Sequence, residues 1–518
     1  AGAKKVGVNI EMSMTSDEMW AADGNWMEET FNSGGINMMR WGYDAWAFDW
    51  EDEVPLSPNR YWGGLNTKDA AGTFGLREFI AYCKKYNVVP FVMIPIESLN
   101  TFGGEATLDK VKALTSSMAA YINEQGIETA YFDMGNEPWN NGAGDKATQY
   151  GELFPSFQQI IKAANSNYKL VLQRSPQNFY WDTLKGNWNN KVIKASQNCF
   201  DAYDDHRYSF YDWNKYFDKN SDSLFAAGTV INDKEAILGE CNIGWTNKAD
   251  NWDEGHTRDM GGGMALLNAM LDQVNWGQYK YVVSWPSHYP SKAVISACPA
   301  HPFGWFNLDE WYLNQKTVRL TGPQLAHRII NENVLSSKLN CTSTGNKVRP
   351  FAYTDGNKLK VIVINKWDPT TLKSTAGITD MAPDYVSHIN GNTAVTGTSF
   401  QNTIPGESVI VYTFVSDNAA TAPTSFAAIS PINNSPNVST AKTFSWVPAV
   451  GAINYRLVVS QNADLSAPFI DVYTSGVTKY QSSKNLAAST TYYWNVIATN
   501  RSGETTATGC GSFHTAAS

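Results

Sequence analysis

The chain has 518 residues, room for three to four domains at roughly 150 residues each, and 43% of its residues are apolar against 17% charged. That balance excludes a disordered, fibrous or coiled-coil protein. A formal charge of −9 with no Lys/Arg cluster argues against an extended nucleic-acid footprint or an anionic-membrane anchor, and no run approaches the ~20 apolar residues of a membrane-spanning helix.

Ala1-Gly-Ala-Lys-Lys carries no hydrophobic signal core, so numbering from a mature terminus is expected. From Lys4 to about Ile330, short β-rich runs alternate with longer amphipathic stretches. The runs are 6–10, 36–41, 88–94, 129–134, 169–173, 200–203, 235–239 and 279–284. Between them, segments such as Gly75-Leu-Arg-Glu-Phe-Ile-Ala-Tyr-Cys and Gly263-Met-Ala-Leu-Leu repeat apolar residues at three and four, the period of a helix packed on a sheet. Eight β/α alternations predict a closed (β/α)8 barrel in residues 1–330. No GxGxxG opens the first unit, which counts against a dinucleotide fold, and Gly261-Gly-Gly lacks a following GKS or GKT and reads as a helix start.

Beyond the barrel, alternating runs such as Lys358-Leu-Lys-Val-Ile-Val-Ile-Asn and Gly406-Glu-Ser-Val-Ile-Val-Tyr predict an antiparallel sandwich over 331–416. A Ser/Asp/Ala/Thr/Pro linker follows at 416–424, then a second all-β sandwich over 424–518. Leu486, Tyr492, Trp494, Val496, Ala498, Asn500 and Gly503 resemble the late-strand pattern of fibronectin type III domains. That resemblance implies that Tyr492 makes a corner hydrogen bond and Trp494 fills the core, which favours a spacer over a glycan-binding module. Six scattered cysteines show no CxxC or zinc spacing, and free thiols are expected over a disulfide framework.

In such a barrel, chemistry gathers at the C-terminal strand ends. Strand two ends in Arg40-Trp41, strand four in Asp133-Met-Gly-Asn136-Glu137-Pro138-Trp139, and strand six in Asp204-Asp-His206-Arg-Tyr208. Strand seven ends in Gly239-Glu240-Cys-Asn, and strand eight in Ser284-Trp285-Pro286. Two carboxylates thus share one mouth, as glycosidic cleavage requires: one to protonate the leaving oxygen, one to meet the oxocarbenium-like centre. Each residue alone has a blander reading, as a salt-bridge partner or core filler; their joint placement carries the inference.

With these residues the chain resembles the clan of retaining glycoside hydrolases whose (β/α)8 barrels carry catalytic Glu on strands four and seven. The likeness covers about residues 4–330 and is most specific at Asn136-Glu137-Pro138. It implies Glu137 as acid/base, Glu240 as nucleophile, Asn136 on a sugar hydroxyl, Arg40 and Tyr208 beside Glu240, His206 orienting the acid/base, and Trp285 as sugar platform. Trp139 and Trp245 are further expected substrate contacts. Gly239 and Cys241 depart from the commoner neighbours of the nucleophile. Glu97 stands where several such families place a His, as a substrate contact or competing acid.

Barrel followed by sandwich looks most like families acting on β-1,3-glucan, with agarases and porphyranases similar at this level. No metal or cofactor is expected: Asp250-Asn-Trp-Asp-Glu-Gly-His256 lacks a recurring ligand spacing, and Asp204 and Asp205 are read as setting the His206 ring rather than binding calcium. An endo cleft is read from loop aromatics Trp20, Trp26, Trp46, Trp50, Trp62, Trp181, Trp188, Trp213, Trp245 and Trp252. A secreted, periplasmic or cell-surface bacterial monomer acting on a polysaccharide is the expected protein, and a non-catalytic carbohydrate-binding barrel is the competing class.

Overall fold

The computed structural model describes residues 6–11, 31, 34–42, 47–57, 74–175, 187–208, 231, 233–242, 260–285, 288–289, 306–307, 319–320, 322–343, 348–355, 358–365, 370–373, 381–388, 391–393, 401–404, 408–416, 421–474, 477–482 and 485–517. The chain divides into two compact units, Ala1–Val334 with Gly345–Arg349, and Leu335–Thr344 with Pro350–Ser518.

Parallel strands bury both faces, so the sheet must be covered outside by helices and filled inside by side chains. The first unit does this with eight parallel strands closed in sequence order. They are β1 Val6–Glu11, β2 Met38–Gly42, β3 Val89–Met93, β4 Tyr131–Asp133, β5 Lys169–Arg174, β6 Ala202–Tyr208, β7 Glu235–Asn242 and β8 Tyr281–Ser284. All eight β-rich runs of the sequence supply a barrel strand.

Covering helices include α1 Leu76–Tyr86, α2 Leu108–Glu124, α3 Ala147–Gly151, α4 Phe154–Ala164, α5 Trp188–Ala195, α6 Met260–Trp276 and α7 Gly322–Asn333. In α1 the apolar stripe Leu76, Phe79, Ile80 and Cys83 is buried, and Asn87 closes the helix in the left-handed conformation. Helix α2 starts at Thr107, whose side chain accepts the Lys110 N–H. The Gly261-Gly-Gly run lies in the first turn of α6.

Strand alternation sorts the interior into layers. Met38, Phe91, Tyr131, Val171, Ala202, Ile237 and Val283 form one apolar plug inside the barrel. Two residues further along their strands, Arg40, Asp133, Gln173 and Asp204 make a buried polar layer, joined by Asn9 of β1. The site is built on that layer.

In the second unit, a six-stranded sheet runs β9 Ser337–Leu339, β10 Val348–Thr354, β11 Lys358–Asn365, β16 Ser408–Ser416, β13 Met381–His388, β14 Gly391–Thr393, with β12 Thr370–Lys373 paired to β15 Gln401–Ile404. The last stretch forms two sheets. One joins Ala428–Ser430, Thr443–Trp446 and Lys479–Gln481; the other joins Ser435–Val438, Gly511–Thr515, Thr491–Asn500, Asn454–Ser460 and Ile470–Tyr473. Phe444, Trp446, Tyr455, Trp494 and Phe513 fill the space between them, and the Tyr492 hydroxyl accepts the Ala487 N–H at 3.0 Å.

Candidate active site

The strand-four turn is held from below. Gly135 takes φ +95°, and a side chain there would collide with the Glu97 carboxylate, 2.3 Å from where a Cβ would sit. Glu97 has no exposed surface, and its Oε1 accepts the Asn136 N–H at 2.6 Å. The expectation that Glu97 faces substrate is therefore corrected: it lies under the turn and fixes its shape. The next residue, Glu137, has a left-handed backbone, φ 49°. Its N–H donates to Gln173 Oε1 at 2.6 Å, and its carbonyl accepts from the N–H groups of Asn140 and Asn141. Such a conformation persists only where its surroundings over-determine it, as these bonds do.

Glu240 reaches the mouth by a break in the strand pattern. Ile237 packs into the interior plug, so strict alternation would send Glu240 to the outer face with Leu238. Between β6 and β7 the register slips: Asp205 pairs Leu238 but His206 pairs Glu240, leaving Gly239 as the extra residue. This bulge turns Glu240 inward. The Gly239 N–H donates to Asp204 Oδ1 at 2.6 Å, and the Gly239 carbonyl accepts from Asn9 Nδ2 at 2.9 Å.

Arg40, wholly buried, ties the layers together. It donates to Glu240 Oε1 at 2.6 Å, Asp133 Oδ2 at 2.7 Å, Asn136 Oδ1 at 3.0 Å and Asn9 Oδ1 at 3.1 Å. Gln173 Nε2 also donates to Asp133 Oδ2 at 2.6 Å. Burial pushes the Asp133 carboxyl up to about 7, against the pull of the Arg40 guanidinium.

His206 stands among carboxylates. Its Nδ1 is 3.0 Å from Glu137 Oε1 and 3.4 Å from Glu240 Oε2, while Nε2 is 3.1 Å from Asp204 Oδ2. Burial alone would depress the imidazole, but Glu240 and Asp204, with hydrogen bonds to Asp204 and Glu137, outweigh it and hold His206 well above its ordinary range. Asp204 is itself pushed up by burial, with His206 pulling the other way. Its neighbour Asp205 belongs to the other face of the strand, paired with Arg174 at 2.5 Å and accepting from Tyr279 at 2.7 Å. Asp204 and Asp205 thus point apart.

One ligand-type atom each of Glu137, His206 and Glu240 lies within 4.8 Å of the others. Arg40 and His206 face these carboxylates. The structure thus brings together Arg40, Asn136, Glu137, His206 and Glu240, and adds Asn9, Asp133 and Gln173, which sequence reasoning had not placed in the site; of the two aspartates read as setting the His206 ring, Asp204 meets it and Asp205, paired with Arg174, does not.

The aromatic expectations change. Trp139 is 3% exposed and stands edge-on to His206 at 5.9 Å, so it packs behind the imidazole instead of facing a sugar. Trp285, directly after β8, is 5% exposed. Trp50 donates to the Leu114 carbonyl, and Trp188 packs on Tyr150; both are core residues, not cleft lining. The Tyr208 side chain and Trp20, Trp26, Trp46, Trp62, Trp181, Trp213, Trp245 and Trp252 lie outside the described residues, as do Asp250–His256 and Cys298. The five described cysteines are free.

No family model and no curated protein sequence matches the chain. Solved structures do. The α-L-arabinofuranosidase of Thermotoga maritima, solved with arabinose, superposes with a TM-score of 0.55 at 15% identity, over 79% of this chain and 96% of its own. The thermostable family 51 α-L-arabinofuranosidase of Thermotoga petrophila gives 0.54 at 15% identity, over 79% and 97%. These likenesses are in fold.

Proposed function

We propose that the protein is a retaining glycoside hydrolase acting on a polysaccharide. One observation carries the reading. Glu137 and Glu240, brought to one mouth from β4 and β7, have oxygens within 4.8 Å of each other, with His206 between. Retaining pairs stand about 5–5.5 Å apart, whereas inverting pairs leave about 6.5–9.5 Å for a water. Shared fold with two arabinofuranosidases over nearly their whole length supports the class.

In the mechanism Glu240 attacks the anomeric carbon while Glu137 protonates the departing oxygen, giving a glycosyl ester on Glu240. Glu137, now a carboxylate, takes a proton from water as that water releases the sugar with its configuration restored. Arg40 complements the charge of Glu240 before attack, and Asn136, held by Arg40, is offered to a sugar hydroxyl. Trp285 and Tyr208 are proposed as further sugar contacts.

β-1,3-glucan is the proposed polymer, attacked internally by a secreted monomer, with agarose-type galactans the alternative within the same chemistry. The domains are proposed as a catalytic barrel over 1–330, a sandwich over 331–416 and a fibronectin type III-like spacer over 424–518. The Tyr492 corner bond and the buried Trp494 support the last assignment.

The test is reducing-end release from laminarin, lichenan, carboxymethyl-cellulose and agarose, with 4-nitrophenyl α-L-arabinofuranoside alongside and Glu137→Gln in parallel. Cleavage of one substrate, lowered at least about 100-fold by the substitution, is expected. Binding without cleavage would establish a carbohydrate-binding barrel in its place.

A further inference from the structure

We infer that Asp204 is the positioning residue of this site, one carboxylate that aims both catalytic glutamates. The inference rests on the glycosidase reading and assigns a role to a side chain outside the catalytic pair.

The two oxygens of Asp204 reach the two arms of the reaction separately. Oδ2 faces His206 Nε2 at 3.1 Å, and His206 Nδ1 in turn faces Glu137 Oε1 at 3.0 Å. Oδ1 accepts the Gly239 N–H at 2.6 Å, one residue before Glu240. That bond, with Asn9 on the carbonyl side of Gly239, clamps the bulge that turns Glu240 into the mouth. Asp204 has no exposed surface, so it acts on substrate only through these partners.

Glycine is required at 239 for a specific reason. A Cβ there would sit 2.3–2.6 Å from the Asp204 carboxylate atoms, closer than side chains pack. The glycine beside the nucleophile makes room for this carboxylate.

Asp204 also sets a charge. Both ring nitrogens of His206 face carboxylate oxygens, and a neutral imidazole has only one N–H to give them. With Asp204 on Nε2 and the nucleophile Glu240 3.4 Å from Nδ1, each nitrogen meets an anion even when Glu137 carries its catalytic proton, and the geometry calls for an imidazolium. The groups facing it are Asp204 on its own strand, Glu240 from β7, Glu137 from the β4 turn, and Asp133 below; the Trp139 ring closes one side. With Asp204 present, His206 presents a cation to the Glu240 carboxylate and an N–H to Glu137 Oε1, which leaves the other Glu137 oxygen to carry the catalytic proton.

Asp204→Asn separates the two roles. The amide oxygen can still accept from Gly239, but its NH2 then faces Nε2, which must give up its proton. Expected is a kcat about 100-fold lower on whichever polymer the wild type cleaves, KM within about two-fold, and an altered pH profile of kcat/KM. Nitrogen-15 imidazole spectra should show His206 doubly protonated near neutral pH in the wild type and singly protonated in the variant. Gly239→Ala, which displaces the carboxylate sterically, should lower kcat likewise.

Wild-type kcat and pH profile in Asp204→Asn would overturn the inference, and so would a neutral His206 in the wild type. If Asp204→Asn does not fold, the wild-type nitrogen shifts and Gly239→Ala decide. Should the wild type cleave none of the polymers, the glycosidase reading fails, while the His206 spectra still report whether Asp204 holds the charge.

Discussion

The guanidinium of Arg40 donates to Asn9, Asp133, Asn136 and Glu240 with no surface in solvent. Its removal would leave Asp133 and Glu240 in the barrel interior without their shared counter-charge. Breaking a buried pair by deleting one member typically costs about 3–5 kcal/mol, so Arg40→Met should lower stability by about that much in urea titrations. Arg40→Lys keeps the charge but loses the planar fork, and should recover part of the stability and little of the activity. A variant as stable as the wild type would mean that Asp133 already carries a proton and needs no partner. At this scale the strand ends announced Arg40, Asn136, Glu137, His206 and Glu240, because strand termini in a barrel converge whatever lies between them. Glu97 and Trp139 misled for one reason: adjacency to a catalytic turn does not say which side of the turn a residue occupies. Asn9, Asp133 and Gln173 went unread because a polar residue two places past an apolar one looks like solvent-facing alternation, and only closure of the barrel turns that face inward.

Among the elements, the eight strands were legible because each is a short apolar run bounded by turn residues, a signal that needs no partner to be read. The β7 bulge was not. Register between parallel strands depends on contacts distant in sequence, and one extra residue reverses which side chains face inward. Helix α7 offers a measurement at this scale. His327 on α7 is fully buried, with Nε2 2.8 Å from Ser284 Oγ on β8, and burial lowers it to about 3. In the unfolded chain an imidazole takes its proton near pH 6.5. Between those values the unfolded state binds the extra proton, so the stability contributed by neutral His327 is present above about pH 6.5 and is lost as pH falls toward 3. The loss would approach an order of 5 kcal/mol at the lower end. His206 works with the opposite sign: raised in the folded state, it favours folding below its unfolded value and loses that contribution as pH rises through its folded one. His327→Gln should flatten the acid limb of urea stability against pH and leave the alkaline limb unchanged. An unchanged acid limb would assign acid lability to other groups.

For the whole molecule, the question is whether its parts fold together or separately. The terminal core, from Phe426 through Trp446, Tyr455 and Trp494 to Phe513, is made of residues from one continuous stretch of chain. Trp446 and Trp494 are among the largest fully buried or nearly buried side chains, and about 100 residues is ample for a stable sandwich. Residues 421–518 expressed by themselves should therefore unfold in a single cooperative transition. In the full chain, Trp494→Ala removes a buried indole at a cost of about 3–5 kcal/mol. In calorimetry it should lower the transition belonging to that module and leave the barrel's where it was. If instead every transition moved together, the terminal sandwich would be part of the barrel's cooperative unit. The spacer role would then give way to one in which the module stabilises the catalytic fold directly.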